Sequence, residues 1–123
     1  MPKINLIASL KGNTTNHHVS GKGIIKDEKL IYQDSDVKVI VERQDDKVNI
    51  TRSNGAYDLN LLFILNKRTI GQYNIKEFSM NIDADIYTKE LIQNNKEIFI
   101  VYDLTLGGEF LGEYTYHLSY EVK

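Results

Sequence analysis

The sequence predicts an all-β domain that spans residues 1–123, folded as an antiparallel up-and-down barrel of about eight to ten strands. Short stretches alternate apolar and polar residues, which is typical of strands with one buried face. Tight-turn signals separate these stretches, and none shows sustained helical periodicity. A long meander with one apolar face must close on itself or split into two layers, so a barrel is the simplest arrangement and a sandwich is the alternative.

Composition limits the classes of function. A chain of 123 residues is one domain on length and can bury one proper core. The formal net charge is -2 with no concentrated basic block, which argues against nucleic acid or an anionic membrane as a partner. The absence of cysteine excludes disulfides, zinc thiolates and thiol nucleophiles. No apolar run resembles a signal peptide or a membrane span, so the expected location is the cytoplasm.

The first half of the chain contains five predicted strands. Ile4, Leu6, Ala8 and Leu10 alternate with mostly polar residues, as in a strand with one face inward. Gly21-Lys22-Gly23 lies inside the second stretch and indicates a bend or bulge, since no helix follows to make it a phosphate loop. The strands are predicted at 3–11, 16–26, 29–33, 37–43 and 47–52.

Two turns in this half predict a common core row. A two-residue turn at Asp45-Asp46 pairs Val41 with Ile50. Asn54-Gly55 favours a type I′ hairpin, because both central residues then need positive φ. That hairpin pairs Ile50 with Leu59, so Val41, Ile50 and Leu59 are predicted to lie across three strands on one face.

The second half contains further strands, predicted at 56–66, 68–75 and 78–87. The first is apolar on both faces from Leu61 to Leu65, so it is either covered on both sides or faces a partner. The segment from Thr88 to Asn95 fits either one helical turn or a strand end.

The last stretch, Lys96 to Val122, reads as one long hairpin. Its apolar residues share even parity before and after Gly107-Gly108, so both runs must face the same side. A two-residue loop would set an apolar face against a polar one. We therefore predict a three-residue loop at 106–108, which pairs Leu104 with Phe110 and Ile100 with Tyr114.

Several short motifs resemble the YwiB-like proteins of Gram-positive bacteria, a family of unknown function. They extend over most of the chain, although the chain carries Ile75-Lys76-Glu77 after Tyr73 where members tend to have Pro- or Gly-rich turn residues. The resemblance implies a lipocalin-like, calycin-type barrel and carries over no catalytic or binding residue. The motifs are Ser20-Gly21-Lys22-Gly23, Lys29-Leu30-Ile31-Tyr32, Arg52 with Gly55, Tyr73, Phe78 onward, Ile100-Val101-Tyr102-Asp103-Leu104 with Gly107, and Leu118-Ser119-Tyr120-Glu121.

Tyrosines and one arginine are the most informative candidates for a site. Tyr102, Tyr114 and Tyr116 lie on the face assigned to the interior, and the Asn54-Gly55 hairpin would place Tyr57 opposite Arg52 near one barrel end. Arginine with tyrosines at a barrel mouth can hold a carboxylate or another anion. The alternative is that the tyrosine rings fill the core while their hydroxyls and Arg52 reach solvent.

Other polar groups have simpler explanations. His17 and His18 are adjacent on a strand and point to opposite faces, so no metal site is expected and both are predicted to be exposed strand histidines. Asp83 and Asp85 alternate with a clean apolar face, as a solvated surface should. Asp34-Ser35-Asp36 is interpreted as a turn. No catalytic constellation stands out, so neither an enzyme nor a cofactor is expected.

The leading functional prediction is a non-enzymatic binder of a small apolar or amphipathic anionic ligand inside the barrel. The predicted ligand-binding residues are Arg52, Tyr57, Tyr102, Tyr114 and Tyr116. The alternative is a protein-interaction or structural module that acts as a homodimer without a small ligand.

Overall fold

The computed structural model describes residues 2–123, and these form ten antiparallel strands that close into one barrel. Each strand pairs with its neighbours in sequence, and the last strand pairs with the first. The up-and-down barrel prediction is confirmed over the sandwich. The strands are β1 (Lys3–Lys11), β2 (Asn16–Lys26), β3 (Lys29–Asp34), β4 (Val37–Gln44), β5 (Lys47–Ser53), β6 (Tyr57–Ile64), β7 (Arg68–Ile75), β8 (Met80–Gln93), β9 (Glu97–Leu106) and β10 (Glu109–Val122).

The strands alternate in direction, so the turns between them lie at two opposite ends of the barrel. The upper end carries the turns at 12–15, 35–36, 54–56, 76–79 and 107–108. The lower end carries the turns at 27–28, 45–46, 65–67 and 94–96, together with the first and last strand ends. Since β8 runs to Gln93, the ambiguous segment after Thr88 is a strand end and not a helical turn. The described residues contain no helix long and apolar enough to cross a lipid bilayer.

The core lies on the inner face of the barrel. Paired antiparallel residues point to the same face. Leu30 pairs with Val41, Val41 with Ile50, and Ile50 with Leu61, and all four are buried. The pairing predicted for the Asp45-Asp46 turn is therefore confirmed. Phe63, Ile86, Ile98, Ile100 and Leu118 are among the most enclosed side chains and fill the centre of the barrel.

The last hairpin differs from its predicted register. Gly107 and Gly108 form a two-residue turn with φ of 58° and 86°, and Leu106 pairs with Glu109. A bulge between Phe110 and Gly112 then inserts one residue, and Gly112 has φ of 118°. The predicted three-residue loop was wrong because it assumed a regular ladder, whereas the bulge changes the parity.

Beyond this bulge the two apolar faces meet on the inside. Tyr114 pairs with Tyr102, and Tyr116 pairs with Ile100. The predicted partners were wrong by two residues, since Ile100 was expected opposite Tyr114 and lies opposite Tyr116, but the inward face of the hairpin is the predicted one.

The Asn54-Gly55 turn also differs from its prediction. Ser53 pairs with Asp58, and neither Asn54 nor Gly55 has a positive φ. Instead, Asn54 Oδ1 accepts hydrogen bonds from the backbone N–H groups of Ala56 at 2.8 Å and Tyr57 at 3.0 Å. This local side-chain bonding stabilises the turn at 54–56. Ile50 therefore pairs with Leu61 in place of Leu59, two residues further along the same face.

Strand β6 leaves the sheet early. It pairs with β7 only from Tyr57 to Asn60, and beyond that point Leu65 makes an isolated parallel bridge to Thr88. Leu61 and Phe63 are buried on the inner face, Leu62 and Ile64 are half-buried, and Leu65 is exposed. The outer face of this doubly apolar strand is thus only partly covered.

Candidate functional site

The upper end of the barrel is lined by two inward-facing rows. Arg52 pairs with Leu59, Leu59 with Tyr73, and Tyr73 with Ile82, which makes one continuous row across β5 to β8. Above it, Tyr57 pairs with Ile75, which pairs with Met80. Strands β6 to β8 therefore extend the barrel wall at this end.

The side chains of these upper rows are partly exposed, whereas the inward-facing side chains below them are buried. We call the open part the cup, defined by inward-facing side chains that keep part of their surface exposed. Its floor is the closed core around Ile86 and Ile100. Its lining consists of Arg52, Tyr57, Leu59, Tyr73, Ile75, Met80, Ile82, Leu104, Leu106 and Tyr114.

A hydrogen-bonded triad of Asp34, Arg52 and His17 lies at one side of the cup. Arg52 Nη2 on β5 donates a hydrogen bond of 2.8 Å to Asp34 Oδ2 on β3. His17 Nε2 on β2 lies 3.0 Å from both carboxylate oxygens of Asp34. The side chain of Asp34 is 7% exposed, that of Arg52 23% and that of His17 52%. The carboxylate is thus enclosed, and its two partners reach toward solvent.

The triad fixes the charge of two of its members. Burial alone would raise the pKa of Asp34, but hydrogen bonds from Arg52 and His17 outweigh it and lower that pKa below its ordinary value. Burial alone would lower the pKa of Arg52, but its hydrogen bond to Asp34, together with contributions from Tyr32 and Tyr57, outweighs burial and raises that pKa. Both groups are therefore charged at neutral pH.

Buried tyrosines form the deeper wall beside the triad. The hydroxyls of Tyr32 and Tyr116 are 2.9 Å apart and hydrogen bond to each other. The Tyr102 ring stacks on Tyr114 with centroids 5.8 Å apart and meets Phe63 edge-on at 4.8 Å. Burial raises the pKa of Tyr32, Tyr102 and Tyr116, so their hydroxyls stay protonated.

The hydroxyl of Tyr102 has no hydrogen-bond partner among residues 2–123. Within that part of the chain, the unpaired side-chain polar atoms that are fully enclosed belong to Asn49 and Thr88, so the Tyr102 hydroxyl keeps some contact with solvent. Yet the residue as a whole is only 4% exposed. A buried tyrosine usually satisfies its hydroxyl. This hydroxyl is therefore free to donate a hydrogen bond.

The structure brings the five predicted site residues to the same end of the barrel. Arg52 and Tyr57 are half-buried and face inward, although Tyr57 lies one pair above Arg52 and not opposite it. Tyr102, Tyr114 and Tyr116 face inward at this end from β9 and β10. Their role as ligand-binding residues stays a prediction.

Sequence reasoning missed Asp34, His17 and Tyr32. Asp34 was interpreted as a turn residue, but it is the last residue of β3 and is buried. Its even parity with Leu30 and Tyr32 was the available signal. His17 was expected to be an exposed strand histidine, and its side chain is 52% exposed; what the sequence pattern does not reveal is its bond to Asp34, 17 positions away.

The remaining polar candidates make local contacts. Asp85 forms a salt bridge with Arg68, and Asp83 accepts a hydrogen bond of 2.9 Å from Gln72. These contacts are on the outer surface, where both aspartates lie. His117 lies 3.0 Å from Glu97. Within residues 2–123, no group of three or more potential ligand side chains is placed to hold a metal ion.

The lower end of the barrel carries different chemistry. Arg43 lies over the ring of Tyr120, with its guanidinium carbon 5.4 Å from the ring centroid, and hydrogen bonds to that tyrosine's hydroxyl. It also donates to the backbone oxygen of Asn94 at 2.6 Å. This arginine ties β4 to β10 and to the turn at 94–96, so the two barrel ends are not equivalent.

The outer surface carries two open grooves. The larger, of about 800 Å³, crosses β2, β1 and β10 beside the turn at 94–96, with the exposed Ile7 among polar side chains. The smaller, of about 360 Å³, lies on the outside of β4 to β6 near Asn49. Neither groove contains a predicted site residue.

Comparison with known proteins gives one family and one fold. A family described as a domain of unknown function (DUF1934) matches residues 5–118. The crystal structure of the ywiB protein from Bacillus subtilis is similar, with a TM-score of 0.64, 19% identity, and coverage of 99% of this chain and 91% of that one. At this identity the likeness shows the fold. No curated protein matches the chain.

Proposed function

Because the chain belongs to the DUF1934 family, whose function is unknown, we propose a function from the geometry of the barrel: non-enzymatic binding of a small apolar or amphipathic anionic ligand in the cup. The membership agrees with the predicted YwiB-like resemblance. A cytoplasmic location and the lack of nucleic-acid or membrane partners stay predictions from the sequence.

The single observation that supports this proposal most is the contrast between the cup and the core below it. Four inward-facing apolar side chains of the cup are partly exposed, whereas residues on the same face deeper in the barrel are buried. The four are Leu59, Ile75, Ile82 and Leu106. Exposed apolar surface inside a concave wall is typical of ligand sites. An apolar ligand body would cover this surface.

The polar groups of the cup would orient a head group. Arg52 uses Nη2 for Asp34, but a guanidinium has five N–H donors, so others remain for a second acceptor. Tyr102 offers one unpaired hydroxyl. Asp34 is occupied by Arg52 and His17, so we assign it to positioning Arg52 and not to acid-base catalysis.

Filling the cup tests this function. We expect wild-type protein to bind para-butylbenzoate, measured by titration calorimetry, because the probe has an apolar body and one carboxylate. Ile82→Trp adds an indole to the cup and should abolish binding. Ile70→Trp is the matched control, since Ile70 is 61% exposed on the outer face of the neighbouring strand. Equal binding by both variants would contradict the proposal.

Native mass spectrometry of the purified protein provides a second readout. A co-purifying small mass that is lost in Ile82→Trp would support the cup as its site. A bare dimer without any small mass would instead support the alternative function.

That alternative, a homodimeric interaction module, has one observation in its favour. Large apolar side chains are exposed at the upper end: Phe78, in the turn at 76–79, is 67% exposed, and Phe110, at the start of β10, is 64% exposed. If they form a contact between copies, Phe78→Ser together with Phe110→Ser should convert the dimer to monomer in light scattering, with the barrel's circular dichroism unchanged.

A further inference from the structure

The charge of the cup is already balanced before any ligand enters it. Asp34 holds Arg52 at 2.8 Å, and the opposite charges of this pair cancel. An anionic head group on Arg52 would share one guanidinium with the Asp34 carboxylate. Two carboxylates on one cation repel each other, and repulsion is strong where water is partly excluded.

A proton could relieve this repulsion, and the geometry limits where it can go. Asp34 remains ionised, since its pKa is lowered, and Arg52 is always charged. An ionised carboxylate only accepts hydrogen bonds, so His17 Nε2 must carry the hydrogen that it donates to Asp34. The other ring nitrogen, Nδ1, is then the atom that can take up a proton.

We propose that the cup binds an anionic head group together with one proton, which His17 takes up at Nδ1. The inference rests on the proposed binding function and adds its ligand class and its regulation. With His17 protonated, two cations face two anions, and the head group on Arg52 is balanced. Without the proton, the Asp34 carboxylate repels an anionic head group, and the cup binds an uncharged polar head group of the same shape more tightly.

Other groups around the triad do not change charge in its place. Apolar Leu10 pairs with His17, and apolar Val37 and Val39 pair with Asp34 and Arg52. The tyrosines on the surrounding strands include Tyr32, Tyr57, Tyr102, Tyr114 and Tyr116. Burial raises the pKa of Tyr32, Tyr102 and Tyr116, and phenols in general are neutral near pH 7. Asp36, in the turn after β3, receives a hydrogen bond from Asn54.

Two matched probes test the coupling. The probes are para-butylbenzoate and its uncharged isostere para-butylbenzamide, titrated calorimetrically from about pH 8 to about pH 6, where histidine changes charge. Repeating each titration in two buffers with different heats of ionisation counts the protons taken up. We expect benzoate affinity to rise as pH falls, by at most about tenfold per pH unit. Benzamide affinity should stay constant.

Variants assign the proton to its residue. His17→Gln should remove both the pH dependence and the proton uptake for benzoate, while His18→Gln, at the adjacent outward-facing position, should keep both. His17 is half-exposed, so the substitution is compatible with folding. Asp34→Asn, if folded, should bind benzoate with pH-independent affinity.

The outcomes separate this inference from the function on which it rests. Benzoate binding with constant affinity and no proton uptake would overturn the inference and leave the binding function standing. An unchanged pH dependence in His17→Gln would overturn it as well. If neither probe binds at any pH, both the function and the inference fail.

Discussion

At the residue scale, Asp34 determines the electrostatics of the upper end. A carboxylate that is 7% exposed would be costly to bury alone, but hydrogen bonds from Arg52 and His17 compensate for its lost hydration. The same contacts orient the guanidinium across the cup. Asp34 therefore links the stability of the barrel to the placement of Arg52.

The first prediction concerns the pH dependence that this carboxylate produces. Since the folded pKa of Asp34 is lowered, its stabilisation is present above the unfolded pKa, which is about 3.9 for aspartate, and is lost as pH falls through the folded value. We expect Asp34→Asn to reduce the free energy of unfolding by about 1–3 kcal/mol at pH 7 and by less at pH 3. Urea denaturation at both pH values measures this, with the exposed Asp36→Asn as control. A constant difference would contradict it.

The second prediction concerns Thr88, whose side chain is fully buried and whose hydroxyl has no partner within residues 2–123. Thr88→Val replaces the hydroxyl with a methyl group of similar shape. Because an unsatisfied buried hydroxyl costs about 1–3 kcal/mol, we expect the variant to be more stable by about 1 kcal/mol. Thr88→Ser is the control, since it keeps the hydroxyl and loses packing. A less stable Thr88→Val in urea denaturation would show that the hydroxyl is satisfied.

Parity along a strand could show that Asp34 faces inward, but not what it meets there. Its partners are 17 and 18 residues away, on β2 and β5. Which side chains meet across a barrel depends on the stagger of the strands, and that is set by turns and bulges along the whole meander. The tyrosines and Arg52 were easier to predict, because each lies in a long alternating run whose buried face is clear.

At the element scale, glycine controls where strands approach each other. Strand β7 passes so close to β6 that a Cβ added to Gly71 would lie 1.9 Å from the backbone oxygen of Asn60. This is the point at which regular pairing of β6 with β7 ends. No side chain can be accommodated there without moving a backbone.

The third prediction follows from this contact. Gly71→Ala should destabilise the protein by more than about 3 kcal/mol, because the added methyl group would clash with backbone atoms, which cannot rotate away as a flexible side chain can. Gly21→Ala is the matched control in β2, where an added Cβ has nothing within 4 Å. Thermal unfolding of the two variants is the measurement. Similar melting temperatures would show that β6 and β7 can separate at little cost.

The strands themselves were well predicted, and their registers less so. The bounds of β1, β2 and β7 agree with the alternation in the sequence, because each run stops at clear turn residues. At Gly107-Gly108 and at Asn54, the loop lengths were wrong. A shift of two residues keeps every side chain on its face, and so does a two-residue turn followed by a one-residue bulge, so the apolar pattern looks the same for several registers.

At the scale of the whole molecule, the two ends of the barrel carry different chemistry. Arg43 packs on Tyr120 at the lower end, while the upper end has inward-facing apolar surface around Arg52. A uniform up-and-down topology does not by itself create this difference. It arises because β6 to β8 continue beyond the filled core, which places the cup where the turns at 54–56 and 76–79 rise above it.

The pairing of β1 with β10 has a consequence for how the chain can be cut and rejoined. The backbone N–H of Lys123 donates to the oxygen of Lys3 at 2.9 Å, so the two strand ends lie side by side at the lower end. A short glycine-serine linker should join them, and new termini at the exposed Asp45-Asp46 turn should give a circular permutant that folds and keeps its cup. Circular dichroism and probe binding are the measurements. A permutant cut inside β9, between Val101 and Tyr102, should not fold, and equal folding of the two would contradict a barrel stabilised by continuous strands.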